Sequence, residues 1–413
     1  MLEMFRFLKH LKGNAKATVL TEPLWGIPFN LYAPFFTLYM FHLGVLDFQI
    51  GLLLGLGRML QMFFALFGGV ITDKFGRRLT TLIGDAISWS IPALIWAFSQ
   101  NFWWFLAAAL INSTFQITAV SWECLWIDEN AEDANKLAKI FNWIYISGQL
   151  TVFFAPIAGL FVERYSVVPV VRVLFLIAFV SMTAKFILLY IFSVETPQGL
   201  QRMRETKNTS VSRLLLGYKD VFGQIIKSWK MMRALALQGL AVVTIMITST
   251  FFALYATQDL NVPEHFMAYF PILRAGVMLA FLFLVQSRLG VFKPRHLMLV
   301  GIVTYIAANG LLLVSPAESV AWLAVYTIVE ACAVALLMPR LETLAANVID
   351  PKERARIRSF FNASILAVSS VFGFLAGWLS DMDRRLPFVL NIALFVCMMV
   401  ILVAKRRGSD TAV

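Results

Sequence analysis

Charge is the scarcest property of this sequence. Only 14% of its 413 residues are Asp, Glu, Lys or Arg, whereas 60% are hydrophobic. A soluble domain carries about 25% charged residues, so this chain has too little polar surface for a water-exposed fold. The scarcity excludes an ordinary soluble protein and indicates an integral membrane protein.

Cysteine and histidine are also few. The sequence has three cysteines, Cys124, Cys332 and Cys397, and four histidines. The cysteines show no paired spacing, which predicts neither a disulfide nor a metal site. The sequence contains no Ser-His-Asp set, metal-ligand spacing or nucleotide-binding fingerprint. We therefore expect no enzyme, no cofactor and no use of ATP as the energy source.

Long apolar runs, by contrast, recur along the whole chain. A helix of about 20 residues crosses the roughly 30 Å of hydrocarbon in a bilayer, and we predict twelve such crossings. The runs span residues 19–43, 48–71, 79–98, 102–125, 139–162, 170–193, 232–257, 266–286, 297–315, 319–339, 360–380 and 386–404. The predicted fold class is an all-α integral membrane protein of two pseudo-symmetric six-helix bundles.

Basic residues cluster between alternate runs, as in Lys74, Arg77 and Arg78 after the second run. The opposite set of predicted loops holds only three, which are Arg164, Arg384 and Arg385. This positive-inside pattern predicts both termini in the cytoplasm, with the chain in the plasma (inner) membrane. The net charge of +11 is then explained by the orientation of the chain in the membrane. The expected partners are membrane lipids and a small-molecule solute, not nucleic acid, and we expect a monomer.

The chain divides into two halves around one long polar stretch. We predict a first bundle at 1–193, which includes a cytoplasmic amphipathic segment at 1–16, a cytoplasmic linker at 194–231, and a second bundle at 232–413. The halves also resemble each other weakly. Asn142 aligns with Asn362 and Arg58 with Arg274 at nearly constant shifts, which favours an internal duplication.

The turn after the second run carries the pattern G-x-x-x-D-K-x-G-R-R, formed by Gly69, Asp73, Lys74, Gly76, Arg77 and Arg78. Twelve runs, a basic central loop and this pattern resemble the major facilitator superfamily, whose loop signature reads G-x-x-x-D-[RK]-x-G-R-[RK]. The resemblance implies a secondary active transporter that works by alternating access. A proton or sodium gradient would be its energy source.

The signature loop has a physical interpretation. Gly69 would allow close approach of a helix from the other half, and Asp73 would complement a helix N-terminus across the interface. Arg77 would bridge Asp73 to Asp128. By resemblance, these residues with Gly76 would latch the cytoplasmic gate when the carrier faces outward. The alternative is a set of ordinary loop charges that anchor the topology.

Two arginines lie near the predicted membrane midplane in equivalent runs of the two halves, Arg58 and Arg274. An arginine at this depth is costly, so it implies a partner or a watery cavity. Two guanidinium groups facing one cavity would bind a carboxylate, phosphate or other oxyanion, and Asn30 and Trp122 would help to shape that site. The alternative is that both arginines are structural and neutralised by buried acids, for which the candidates are Glu22, Asp85 and Glu330.

Buried carboxylates have a second possible role, because desolvation penalises their charged form and favours proton uptake. In the superfamily, helices 1, 4, 7 and 10 line the cavity, so Glu330, Glu22 and Glu123 are the candidates for proton coupling. Lys185 is expected to be paired or to snorkel. We predict a proton-coupled carrier of a small organic or inorganic anion. The alternatives are a proton-driven exporter of lipophilic cations, a channel, and a receptor that does not transport.

Overall fold

The computed structural model describes residues 11–130, 133–207, 228–285, 288–289, 292–348 and 354–404. Within these ranges the regular structure is helical, without a β-strand. The helices are α1 (Gly13–Tyr32), α2 (Phe36–His42), α3 (Asp47–Phe75), α4 (Arg77–Asp85), α5 (Ile91–Ala97), α6 (Phe102–Asn112), α7 (Phe115–Ile127), α8 (Ala134–Thr151), α9 (Ala155–Tyr165), α10 (Val167–Phe192), α11 (Pro197–Thr206), α12 (Trp229–Leu254), α13 (Tyr269–Leu284), α14 (Pro294–Leu313), α15 (Val320–Val348), α16 (Arg354–Met382) and α17 (Leu386–Val403).

Side-chain caps explain where several helices begin. Asn101 accepts a hydrogen bond from the backbone N–H of Trp103 at the start of α6, and Asp133 accepts one from Lys136 at the start of α8. Thr196 caps α11 in the same way. Each side-chain oxygen satisfies one of the backbone donors that a first helical turn leaves without a partner.

Prolines explain where several helices break. Pro34 lies in a 3-10 turn between α1 and α2, and Pro92 follows a wide π-turn between α4 and α5. Pro156 follows a 3-10 turn between α8 and α9. Proline lacks the N–H that would continue the ladder and its ring crowds the preceding turn. Pro28, by contrast, lies inside α1 without interrupting it.

Ten helical stretches among the described residues are long and apolar enough to cross a membrane. The expectation of an all-helical, multi-pass membrane protein is confirmed. The first and eighth predicted runs are helical but are not among the ten. The first breaks at Ala33–Phe35, and the eighth forms α13, which has 16 residues. The count of twelve crossings therefore stays a prediction.

Internal contacts divide the chain into two units. Unit 1 contains the described residues of 1–44 and 56–218, and unit 2 those of 45–55 and 219–413. The division assigns the first turns of α3 to unit 2, which the sequence did not predict. Residues 1–10 of the predicted amphipathic N-terminus, and 208–227 of the predicted linker, lie outside the described residues.

Each unit has an apolar core that holds its helices together. In unit 1, α1 packs against α8 and α10, and α4 packs against α7; Ala15, Trp126 and Ile140 belong to one of its buried clusters. In unit 2, α14 packs against α15 and α17 around a cluster that includes Ile302 and Leu337. Charged side chains lie inside both units, next to these cores.

Candidate functional site

Unit 2 buries an ion pair between α13 and α15. Nη2 of Arg274 lies 2.9 Å from Oε1 of Glu330. The Glu330 side chain is 5% exposed and that of Arg274 is 30% exposed. Tyr305 of α14 donates a second hydrogen bond to the same carboxylate oxygen, at 3.4 Å. Three helices thus converge on one carboxylate, which satisfies the requirement that a buried charge be paired and hydrogen-bonded.

Aromatic packing fixes the groups around Glu330. The ring of Tyr305 stacks on Phe395, with centroids 4.4 Å apart, and Tyr326 stacks on Phe252 at 5.5 Å. Tyr305 and Tyr326 are both 3% exposed. The polar centre of unit 2 is therefore surrounded by rings whose positions are set by packing.

Unit 1 buries a different ion pair, between α1 and α10. Nζ of Lys185 lies 3.1 Å from Oε2 of Glu22, and the two side chains are 6% and 12% exposed. The Lys185 ammonium also lies 5.9 Å from the ring centroid of Trp25 and 5.7 Å from that of Trp122. These distances suit cation–π attraction. Lys185 is thus paired inside the unit and does not extend to the membrane surface.

A cavity of about 230 Å³ adjoins this ion pair. Its charged lining residues are Glu22, Lys185 and Asp85. Asp85 is 6% exposed, and its carboxylate interacts with Lys185 and Thr118. Two carboxylates and one ammonium therefore line the cavity. Tryptophans supply much of the remaining wall, namely Trp25, Trp89 and Trp122.

The other predicted site residues are placed as follows. Arg58 donates a hydrogen bond to the side-chain oxygen of Gln61 at 3.1 Å, and no carboxylate in the described part of the chain forms an ion pair with it. Arg58 belongs to unit 1 and Arg274 to unit 2. Asn30 donates to the backbone oxygen of Gly26 and to Oγ1 of Thr151, so its amide nitrogen serves helix packing.

Glu123 is the third predicted proton-coupling residue. It lies near the end of α7 and is exposed, whereas Glu22 and Glu330 form buried ion pairs. Desolvation therefore acts less on its carboxylate than on those of Glu22 and Glu330.

The signature loop makes the ion pair that its spacing suggested. Arg77 is buried and its Nε lies 2.9 Å from Oδ2 of Asp128 at the end of α7. Its Nη1 lies 3.5 Å from Oδ1 of Asp73, four residues earlier. One arginine therefore links the end of α3 to the end of α7 within unit 1.

The glycines around the loop differ in their surroundings. A side chain added at Gly69 would meet no atom within 4 Å among the described residues, and the predicted approach there of a helix from the other half stays a prediction. A close approach within unit 1 occurs one residue earlier, where a Cβ on Gly68 would lie 3.0 Å from the backbone oxygen of Gln116. Gly76 has φ of +83°, a left-handed conformation that favours glycine.

The carboxylate of Asp73 binds two arginines in the described part of the chain. Besides Arg77, it accepts a hydrogen bond from Nη2 of Arg202 on α11 at 2.8 Å. This hydrogen bond raises the pKa of Arg202. The predicted complementing of a helix N-terminus by Asp73 across the interface stays a prediction.

Glu195 is a loop residue that the sequence did not reveal. Its carboxylate accepts hydrogen bonds from the backbone N–H groups of Arg77 and Arg78, at 3.1 and 2.9 Å. These two N–H groups open α4, where a helix has unsatisfied donors and a partial positive charge. Sequence separation hid this contact, because Glu195 lies 118 residues after Arg77.

A second group of charges lies within unit 2. Arg384, between α16 and α17, donates to Asp47 at 2.9 Å and to Asp259 at 3.2 Å. Burial opposes the charge of Arg384, but the hydrogen bonds to both aspartates outweigh it and raise the pKa of Arg384. Gly51 packs close to Gly377 nearby. The sequence analysis treated Arg384 only as a loop charge.

No three His, Cys, Asp or Glu side chains within the described ranges come together as a possible metal site. The chemistry available in each unit is therefore that of buried ion pairs, hydroxyl groups and aromatic rings. Such groups bind, orient and exchange protons with solutes. A helical membrane protein with polar groups at these positions has the features of a solute transporter.

Comparison with known proteins identifies the family. A profile of the MFS_1 like family matches residues 29–401, and the chain belongs to this family. It is a membrane transporter of the major facilitator superfamily and not an enzyme. No match to the chain was found among curated proteins.

Solved structures show the same fold at low sequence identity. The nucleoside transporter NupG superposes with a TM-score of 0.73 at 15% identity, covering 95% of this chain and 100% of NupG. A POT family transporter in complex with 5-aminolevulinic acid gives 0.73 at 14% identity, with 94% and 95% covered. The human organic anion transporter MFSD10 gives 0.59 at 14% identity, with 94% and 98% covered.

Proposed function

We propose that this transporter is a proton-coupled carrier of a small solute, that it favours an organic or inorganic anion, and that it works by alternating access. Twelve crossings with both termini in the cytoplasm of a plasma (inner) membrane belong to the same proposal. The observation that carries it is the ion pair between Arg274 and Glu330. Glu330 would bind the proton and Arg274 would bind the anion.

The coupling follows from charge balance. While Glu330 is ionised it occupies the guanidinium of Arg274, and the pair is neutral. A proton on Glu330 removes the competing charge, so the Arg274 guanidinium can bind an anionic group of the solute by charge-assisted hydrogen bonds in place of that carboxylate. Loss of the proton restores the ion pair and expels the anion. Proton and anion therefore bind together, which predicts symport.

The exposure of the two partners supports this assignment of roles. The Arg274 side chain is 30% exposed, whereas that of Glu330 is 5% exposed and accepts the hydrogen bond of Tyr305. The arginine is thus the member of the pair that a solute can reach. The glutamate is the member for which a net charge without a partner is most costly.

Transport by reconstituted protein tests the proposal. Proteoliposomes with an imposed pH gradient are assayed for uptake of radiolabelled small organic acids and of phosphate, for the wild type, Glu330→Gln and Arg274→Gln. We expect uptake of an anion that follows the gradient in the wild type. Glu330→Gln should lose the dependence on the gradient, and Arg274→Gln should lose at least tenfold in uptake.

The matched control is Glu163→Gln, which removes an exposed carboxylate on α9. It should transport like the wild type. Gradient-driven uptake that survives unchanged in Glu330→Gln would show that the proton is carried elsewhere.

An exporter of lipophilic cations is the second candidate function. The specific observation in its favour is the cavity of unit 1, whose lining includes Glu22, Asp85 and three tryptophans. Under this alternative, amines and not anions would be transported, and Arg274 would be structural. The same assay distinguishes the two candidates when labelled organic amines are included.

A further inference from the structure

The cavity of unit 1 carries charge that the proposed coupling between Arg274 and Glu330 does not use. Glu22 and Lys185 neutralise each other at 3.1 Å, and Asp85 adds a second carboxylate whose neighbour is the same lysine. One ammonium cannot balance two carboxylates. When all three groups are ionised, the lining has one negative charge in excess. A charge buried to this degree is unfavourable unless a partner of opposite charge or a proton compensates it.

The cavity has room for such a partner, with apolar walls beside Asp85. The Lys185 ammonium already lies over the rings of Trp25 and Trp122. The remaining aromatic part of the lining includes Trp89 and Phe115, whose ring centroids are 5.8 Å apart. Asp85 and Trp89 line the cavity four positions apart on the same segment of chain. The excess carboxylate therefore lies in the same cavity lining as two aromatic rings that are inclined to each other by 49°.

We propose that this cavity binds a small organic ammonium compound, whose charged group pairs with Asp85 and whose apolar body packs against Trp89 and Phe115. The volume of about 230 Å³ lies below the roughly 300–1,000 Å³ typical of drug-sized ligands, so the compound is of the size of a simple arylalkylamine. The inference rests on the second candidate function given above, in which amines are transported, and it assigns the residues that would hold the amine.

Tryptophan fluorescence is the direct readout, because three indoles line the cavity. Full-length purified protein is titrated with phenethylamine at constant pH and ionic strength, with neutral 2-phenylethanol and anionic phenylacetate as matched probes. We expect a saturable emission change with phenethylamine alone. Asp85→Asn, which keeps the shape but removes the excess charge, should raise the half-saturating concentration at least tenfold.

Two further variants keep the outcome interpretable. Glu163→Gln should bind like the wild type. Because the titration is made at constant pH and without a gradient, a failure of proton coupling in unit 2 is distinguished from a failure of amine binding in unit 1. Trp89→Leu removes the apolar wall and should weaken binding at least threefold, which provides a second test should Asp85→Asn fail to fold.

Two results would overturn the inference. Equal binding of phenethylamine by the wild type and Asp85→Asn would show that Asp85 does not hold the ammonium group. The other result is a wild-type fluorescence emission that does not change with phenethylamine but changes with pH, together with an Asp85→Asn emission that does not change with pH. It would show that a proton compensates the charges of Glu22, Asp85 and Lys185.

Discussion

The two units each bury an ion pair, and the pairs differ in charge balance. In unit 2, one guanidinium meets one carboxylate, and Tyr305 completes the site with a hydrogen bond. In unit 1, the single ammonium of Lys185 lies beside a cavity that is also lined by the two carboxylates of Glu22 and Asp85. The first centre is neutral with its proton removed. The second is neutral only when a proton or a cation is added.

The difference shows how a chain with few charges obtains two kinds of polar centre. A buried pair with matched charges needs no ligand, so its chemistry depends on protonation separating the partners. A buried cluster with unmatched charges creates a requirement for an occupant. Four mutational predictions test this comparison, from the largest expected effect to the smallest.

The first prediction concerns the lysine of unit 1. Lys185→Met leaves both Glu22 and Asp85 without their cation, and breaking a buried pair in this way costs about 3–5 kcal/mol. Denaturant unfolding in detergent measures the loss. The double variant Lys185→Met with Glu22→Gln should recover part of it, because one of the stranded charges is gone. A loss below about 1 kcal/mol in the single variant would show that water reaches these carboxylates.

The second prediction concerns the unequal partners of unit 2. Arg274→Gln strands Glu330, whose side chain is 5% exposed, and should cost about 3 kcal/mol. Glu330→Gln leaves Arg274, whose side chain is 30% exposed and able to extend toward water, and should cost about 1 kcal/mol. Thermal unfolding of the two variants side by side checks the order. Equal losses would contradict the asymmetry.

The third prediction separates the two carboxylates of unit 1. Asp85→Asn removes the charge in excess and leaves the pair of Glu22 and Lys185 intact. We expect a change in unfolding free energy within about 1 kcal/mol of the wild type, and of either sign, since a lost attraction to lysine is offset by relief of the unbalanced charge. A loss as large as that of Lys185→Met would show that Asp85 is the principal partner of the lysine.

The fourth prediction concerns an exposed ion pair at the signature loop, for comparison with the buried pairs. Arg202, whose side chain is 47% exposed, shares Asp73 with the buried Arg77. Arg202→Gln should cost about 0.5 kcal/mol at low salt and less at high salt, because water and ions screen exposed pairs. Unfolding at two ionic strengths measures this. Arg77→Gln is the buried control and should cost more and respond less to salt.

Much of the fold followed from periodicity and composition. Apolar runs predicted the helices and basic loops the orientation of the chain, because hydropathy and charge are local properties of the sequence. The sequence also placed Arg77 near Asp128, since the resemblance to the major facilitator superfamily puts the loop that holds Arg77 and the end of the fourth predicted run on the same side of the membrane. It did not predict the close packing of Gly68 against α7 within unit 1, because a one-residue shift along a helix changes the direction of the side chain by about 100°.

The pairing of buried charges was left open by the sequence. Glu22, Asp85 and Glu330 were equivalent candidates to neutralise an arginine, and Lys185 had no assigned partner. The structure pairs Glu330 with Arg274 and gives Glu22 to Lys185. These partners lie on different helices, so only the packing of those helices selects among them.

The sequence by itself determined that this chain crosses a membrane as helices and belongs among transporters, because hydropathy and a ten-residue loop motif are local properties. Only the tertiary structure decided which acid meets which base, which carboxylate is in excess, and where a cavity remains. Those outcomes depend on distances between segments that are far apart in the chain, such as the 118 residues between Arg77 and Glu195. The charges are few, and helix packing decides the chemistry of each one.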